Sequence, residues 1–119
     1  MQKPITRSMH GAADYSYAAV VSAAPELVGF TEERTAATLC RVLGSGALLY
    51  SLLTRYEWGL YRVIPFKAHL VADVSANVLA LGAPWLFRFA RNRRARNTFL
   101  AAGLIGMTVV LLTQNKEMP

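Results

Sequence analysis

The chain has 119 residues, of which 54% are hydrophobic and 17% charged, where soluble domains average roughly 25% charged. That length holds one domain, or two small halves sharing a core. The formal charge of +6 would suggest nucleic acid as a partner for a soluble chain, but the basic residues cluster between apolar stretches, so no nucleic-acid partner is expected.

The N-terminal residues Met1–His10 lack the charged, apolar and small-residue regions of a cleaved secretory signal. The first predicted helix covers 8–25 and carries one charge, Asp14. It should stop or kink at Ala24, because Pro25 has no backbone donor and disfavours helix in the residue before it. The second helix, 35–54, contains Arg41 as its one charge and the lone Cys40. That cysteine has no partner for a disulfide or a Cys-rich metal site and reads as a small buried side chain. Between the halves, Tyr56, Trp58 and Tyr61 alternate with Arg55, Arg62 and Lys67, the pattern of a short amphipathic segment lying on a membrane surface. The third helix, 66–87, carries His69, Asp73 and Asn77, with Pro84 predicted to interrupt it at Ala83. Arg88, Arg91, Arg93, Arg94 and Arg96 then fall in one loop, read as topology determinants or contacts to lipid headgroups. The fourth helix, 97–113, has no charge. At ~1.5 Å per residue each stretch spans most of a ~30 Å hydrocarbon layer. The expected fold is therefore all-α: a four-transmembrane-helix bundle forming a single membrane domain over 1–119.

The chain also repeats itself at an offset of 59 residues, with 5–54 matching 64–113 without a gap. His10 pairs with His69, Asp14 with Asp73, Ser16 with Ser75, Pro25 with Pro84, Phe30 with Phe89, Arg34 with Arg93 and Gly44 with Gly103; Leu52-Leu53-Thr54 pairs with Leu111-Leu112-Thr113. Each half reads as a helical hairpin, and two parallel hairpins imply a pseudo-two-fold axis along the membrane normal. Gly44, Gly46, Gly103 and Gly106 supply small residues where helices can approach closely.

His10 and Asp14 are four residues apart, as are His69 and Asp73, so each pair shares a helix face. Carboxylates inside apolar spans need partners. Reciprocal pairing meets that need, with Asp14 accepting from His69 and Asp73 from His10. A second reading is a divalent metal site, since two imidazoles and two carboxylates suit a Zn²⁺-like ion, with Asn77 one turn further on as a supporting residue. A third makes the two histidines axial ligands of a haem, and a fourth makes the set a proton relay. No nucleophile-elbow, P-loop or Cys-x-x-Cys sequence is present, and Ser16 and Ser75 point to a different helix face from the aspartates, so no catalytic residue is assigned.

The segment Asp73-x3-Asn77-x-Leu79-x-Leu81-Gly82-x-Pro84-Trp85-Leu86 resembles the motif of SPW-repeat proteins, small bacterial membrane proteins built from two-helix repeats. Here the tripeptide is Ala83-Pro84-Trp85, and in the first half Ala24-Pro25-Glu26. The resemblance implies a polytopic protein of the bacterial cytoplasmic membrane and carries no activity with it. The expected role is a non-enzymatic accessory or self-associating membrane subunit, with an intramembrane metal or haem protein as the alternative.

Overall fold

The computed structural model describes residues 2–119. It forms four helices: α1 (Arg7–Ala24), α2 (Arg34–Leu52), α3 (Phe66–Leu86) and α4 (Arg93–Leu111), with a short π-helical turn over Pro25–Gly29 after α1. No strand forms among the described residues. The fold is thus all-α with four helices, as the four apolar stretches predict.

Capping explains where the helices begin. Thr6 accepts a hydrogen bond from the Met9 amide at 3.1 Å and starts α1. At the start of α3 the donors of Phe66 and Lys67 are taken by the carboxylate of Glu117, both at 2.9 Å, an anion at the positive end of a helix. The side chain of Asn92 accepts from the Ala95 amide and begins α4 at Arg93. That is four residues earlier than the charge pattern predicts, and it draws Arg93, Arg94 and Arg96 into the helix.

The prolines act differently from expectation in one half. Pro25 ends α1, whereas α3 continues through Pro84 to Leu86. In both halves the proline carbonyl accepts from a phenylalanine amide five residues on, Phe30 at 2.9 Å and Phe89 at 2.8 Å. This turn drives Phe30 and Phe89 into the core, where both are buried beside Ala36, Ala95 and Phe99. It also demands a left-handed residue just before each phenylalanine. Gly29 takes φ +93° without strain, and Arg88 takes φ +62° in the equivalent place.

α1 packs along α2, and α3 along α4, with far fewer contacts between the two pairs. Each pair crosses at a glycine. A Cβ on Gly44 would meet the Ala18 carbonyl oxygen at 2.9 Å, and one on Gly103 the Asn77 carbonyl oxygen at 3.1 Å. Backbone linkages tie the hairpins together. Ile5 N–H donates to Leu112 O and Gln114 N–H to Ile5 O, at 3.0 and 2.8 Å; Ile64 N–H donates to Leu53 O and Arg55 N–H to Ile64 O, both at 2.8 Å. The end of each hairpin is therefore stitched to the start of the other.

The membrane assignment does not stand. No helix among the described residues is long and apolar enough to cross a membrane. The apolar stretches carry few charges, but alanine, glycine and serine fill much of them, and charges divide the helices. The uncharged helical runs are Tyr15–Ala24, Val42–Leu52, Val74–Leu86 and Asn97–Leu111. The longest has fifteen residues and reaches about 22 Å, short of a ~30 Å hydrocarbon layer. The four-transmembrane bundle, the localisation to a bacterial cytoplasmic membrane and the accessory membrane subunit fall together on this finding. The linker is corrected as well: Trp58 and Tyr61 are exposed, but Tyr56 is fully buried and turned into the protein. Arg41 pairs with Glu26 and donates to the Ser22 carbonyl. The high apolar content is partly spent on outer faces, where Val20, Leu49, Val71 and Leu104 are exposed.

Candidate metal centre

The two hairpins meet at the four residues that the repeat singles out. His10 and Asp14 lie one turn apart on α1, and His69 and Asp73 one turn apart on α3. One ligand atom from each lies within 4.8 Å of the other three. His10 Nε2 is 2.7 Å from Asp73 Oδ2 and 3.2 Å from Asp14 Oδ1; His69 Nε2 is 2.9 Å from Asp14 Oδ2 and 3.2 Å from Asp73 Oδ2. Both imidazoles are buried, and the aspartate side chains are only 13% and 10% exposed.

The threonines that close each half decide which imidazole nitrogen faces the centre. A hydroxyl has one proton to give. Thr113 gives it to the Val109 carbonyl at 2.5 Å, and Thr54 to the Tyr50 carbonyl at 2.6 Å. Each Oγ1 must then accept from an imidazole Nδ1–H, from His10 at 2.8 Å and from His69 at 2.7 Å. In the neutral ring this leaves the Nε2 lone pair pointing at the carboxylates. Lone pair against carboxylate is repulsive, so a proton or a cation must lie between them. The repulsion is sharpest at His69, whose buried Nε2 is close to Asp14 yet has no aligned hydrogen-bond partner.

Without a metal, protons fill the role. Burial opposes a charged His10, but hydrogen bonds to Asp14 and Asp73 and their charges outweigh it and hold its pKa at about 9. His69 is raised against the same burial by the same two carboxylates. Burial also opposes the charge on Asp73, yet the hydrogen bond from His10, the close approach of His69 and the Tyr50 hydroxyl hold it down at about 2.

Two tyrosines complete the surroundings. Tyr50 donates to Asp73 Oδ1, and Tyr56 donates to Asp14 Oδ2 at 2.9 Å. Burial first, then the adjacent carboxylates, push both phenols up, so they stay protonated donors. Phe66 stacks on His69 at 6.0 Å and meets His10 edge-on at 5.6 Å. Aromatic rings thus cover one flank of the centre. On the other flank His10, Asp14 and Asp73 open onto a cavity of about 610 Å³.

The four residues that the sequence singles out do lie together, but their neighbours are missed. Thr54 and Thr113 carried a signal, since they close the matched Leu-Leu-Thr segments. Tyr50 and Tyr56 carried none, because the positions 59 residues on are Val109 and Asn115. Asn77, expected beside Asp73, turns its amide to Gly106 and to the cavity instead. Arg88 and Arg91 lie in the connection before α4, and Arg93, Arg94 and Arg96 in its first turn; Arg94 reaches the Gly29 carbonyl at 3.5 Å and Arg96 the Ala90 carbonyl at 3.4 Å. A haem between the imidazoles would have to displace both carboxylates, whose oxygens lie 2.7 Å from His10 Nε2 and 2.9 Å from His69 Nε2. His10, Asp14, His69 and Asp73 form a group that could hold a metal ion. No family model matches the chain, and no curated protein or solved structure shows significant similarity to it, so the SPW-repeat resemblance stands on its own residues.

Proposed function

We propose that this chain is a divalent-metal-binding helical protein, in which one zinc-type ion held by His10, Asp14, His69 and Asp73 clamps its two hairpins together. The observation that carries the reading is the paired threonine support. Thr54 and Thr113 each take an Nδ1–H, and so present two Nε2 lone pairs to the point where two carboxylates converge. Fixing the tautomer through the other ring nitrogen is how metal-binding imidazoles are oriented.

Size and charge agree. Ligand bonds of ~2.0–2.1 Å in a tetrahedron place the ligand atoms about 3.3–3.4 Å apart. The nitrogen–oxygen separations run from 2.7 to 3.2 Å and the four atoms lie within 4.8 Å of one another, so closing round an ion opens the nitrogen–oxygen pairs slightly and draws the wider pairs in. A divalent cation with two carboxylates and two neutral imidazoles sums to zero charge, which suits a buried centre. Calcium and magnesium prefer all-oxygen shells, so the two imidazoles select a transition-type ion. Four protein ligands match a structural zinc site more closely than a catalytic one.

The test is elemental analysis of protein grown with zinc and dialysed against a weak chelator, with cobalt exchanged for zinc in a parallel sample. One ion per chain, lost in His10→Ala and in His69→Ala, together with the visible bands of tetrahedral cobalt, supports the reading. A folded chain that retains no stoichiometric metal and gives no cobalt bands refutes it.

A further inference from the structure

The cavity beside the centre has a built form that the clamp does not use. Its walls come from both hairpins at positions 59 apart: Val42, Leu43 and Ala47 of α2 face it, and so do Ala101, Ala102 and Gly106 of α4. It therefore straddles the junction of the two halves, with His10, Asp14 and Asp73 among the residues that line it. At about 610 Å³ it falls within the ~300–1,000 Å³ range of small-molecule pockets.

Asn77 is the second observation. It is 5% exposed, lines the cavity, and its side chain makes no hydrogen bond among the described residues. Its amide atoms face the cavity and not a protein partner, so a polar group that enters the cavity can bond to them. The position 59 residues earlier is Ala18, while Tyr17, whose counterpart is Ala76, brings a hydroxyl to the same cavity from α1. Tyr17 and Asn77, with Ser16, Tyr50 and Thr98, thus add hydrogen-bonding groups to walls that are mostly apolar.

We propose that this cavity binds an elongated aliphatic molecule ending in a neutral hydroxyl or carbonyl, taken up with its oxygen toward the His/Asp centre and within reach of Asn77. The inference rests on the metal reading only for what that oxygen finally meets. The head is neutral because Asp14 and Asp73 already bring two negative charges that the centre balances internally. An anionic head would add an uncompensated charge beside apolar walls. An alcohol both donates and accepts, which matches the two functions of an amide.

Gly46 allows the pocket to be blocked without disturbing the fold. It lines the cavity from α2, and a Cβ built on it meets nothing within 4 Å. The experiment is calorimetric titration of the zinc-treated full chain with 1-decanol and, separately, with decanoate, with zinc content measured on the same samples. Decanol should bind saturably at one site, and decanoate at least tenfold more weakly. Gly46→Leu should weaken decanol binding at least tenfold at unchanged zinc content, and Asn77→Leu should weaken it several-fold. Absence of saturable decanol binding to zinc-loaded protein overturns the pocket and leaves the clamp standing. Equal decanol affinity in Gly46→Leu also overturns the pocket. Decanoate binding as tightly as decanol overturns the neutral head. A chain that takes up no zinc but binds decanol, with the Gly46→Leu loss, keeps the pocket and refutes the clamp.

Discussion

Replacing Thr113 by valine removes one hydroxyl from a side chain of nearly the same shape, at a position 1% exposed. The His10 Nδ1–H then loses its acceptor at 2.8 Å. An orphaned buried donor costs about 1–3 kcal/mol, so zinc-free protein should lose stability in that range. The effect on metal follows from the tautomer. Zinc displaces the Nε2 proton in either protein, but the zinc-bound ring of the variant must keep an Nδ1–H with no acceptor, whereas its zinc-free ring can hold its one proton on Nε2, where Asp73 lies 2.7 Å away. Loss of such outer partners weakens metal binding by roughly 10–100-fold. Competition against a chromophoric zinc chelator measures the affinity, and urea titration of the chelated protein measures the stability. Thr54→Val should behave alike through His69, and Thr113→Ser, which restores the hydroxyl, should return zinc affinity to within a few-fold of the starting value. Zinc affinity unchanged in both valine variants would falsify the tautomer argument and remove the main support for the centre.

Three further outcomes are expected. In chelated protein, His10 sits at about 9 against an ordinary 6.5, and Asp73 at about 2 against 3.8. The histidine contribution to stability is therefore complete below pH 6.5 and lost as pH rises through 9, while the aspartate contribution is complete above pH 3.8 and lost as pH falls through 2; urea midpoints across this range should show a plateau between those limits, and zinc should abolish the alkaline decline. Arg88→Gly relieves a left-handed arginine that its counterpart Gly29 avoids, so the melting temperature should rise by a few degrees, equivalent to about 0.5–1 kcal/mol; an unchanged or lowered value would contradict the strain. Gly44→Ala forces a methyl to 2.9 Å from the Ala18 carbonyl and should destabilise by about 1–3 kcal/mol, whereas Gly46→Ala, with open space at its Cβ, should stabilise by up to about 1 kcal/mol through helix propensity alone.

How much could be read in advance depended on whether a residue acts through its own chain neighbourhood or through the other hairpin. The helices were legible to within a few residues because apolar runs and prolines are local signals. The His/Asp set was legible because it occurs twice, and Thr54 and Thr113 could have been found the same way. Tyr50 and Tyr56 could not, since each reaches a carboxylate on another element from a position its counterpart leaves as valine or asparagine. The membrane reading failed for a physical reason. Counting residues without charge treats Ala, Gly and Ser as equals of Leu and Ile, although their transfer energies differ widely. The alanines in question have another use: Ala24, Ala36, Ala83 and Ala95 are buried, where small side chains let the helices pack.

The reciprocal backbone stitches at Ile5 and Ile64 have a consequence for chain topology. Ile5 and Gln114 are already hydrogen-bonded, so a short peptide could join residues near them while a new opening is made between the exposed Leu60 and Tyr61. In such a circular permutant, the old order α1-α2-α3-α4 becomes α3-α4-α1-α2. The His/Asp centre, the threonine supports and the glycine crossings would keep their places, since each depends on contacts that either connection allows. The protein is in this sense a ring of two hairpins cut once, and the position of the cut is a matter of kinetics and local concentration more than of the final architecture.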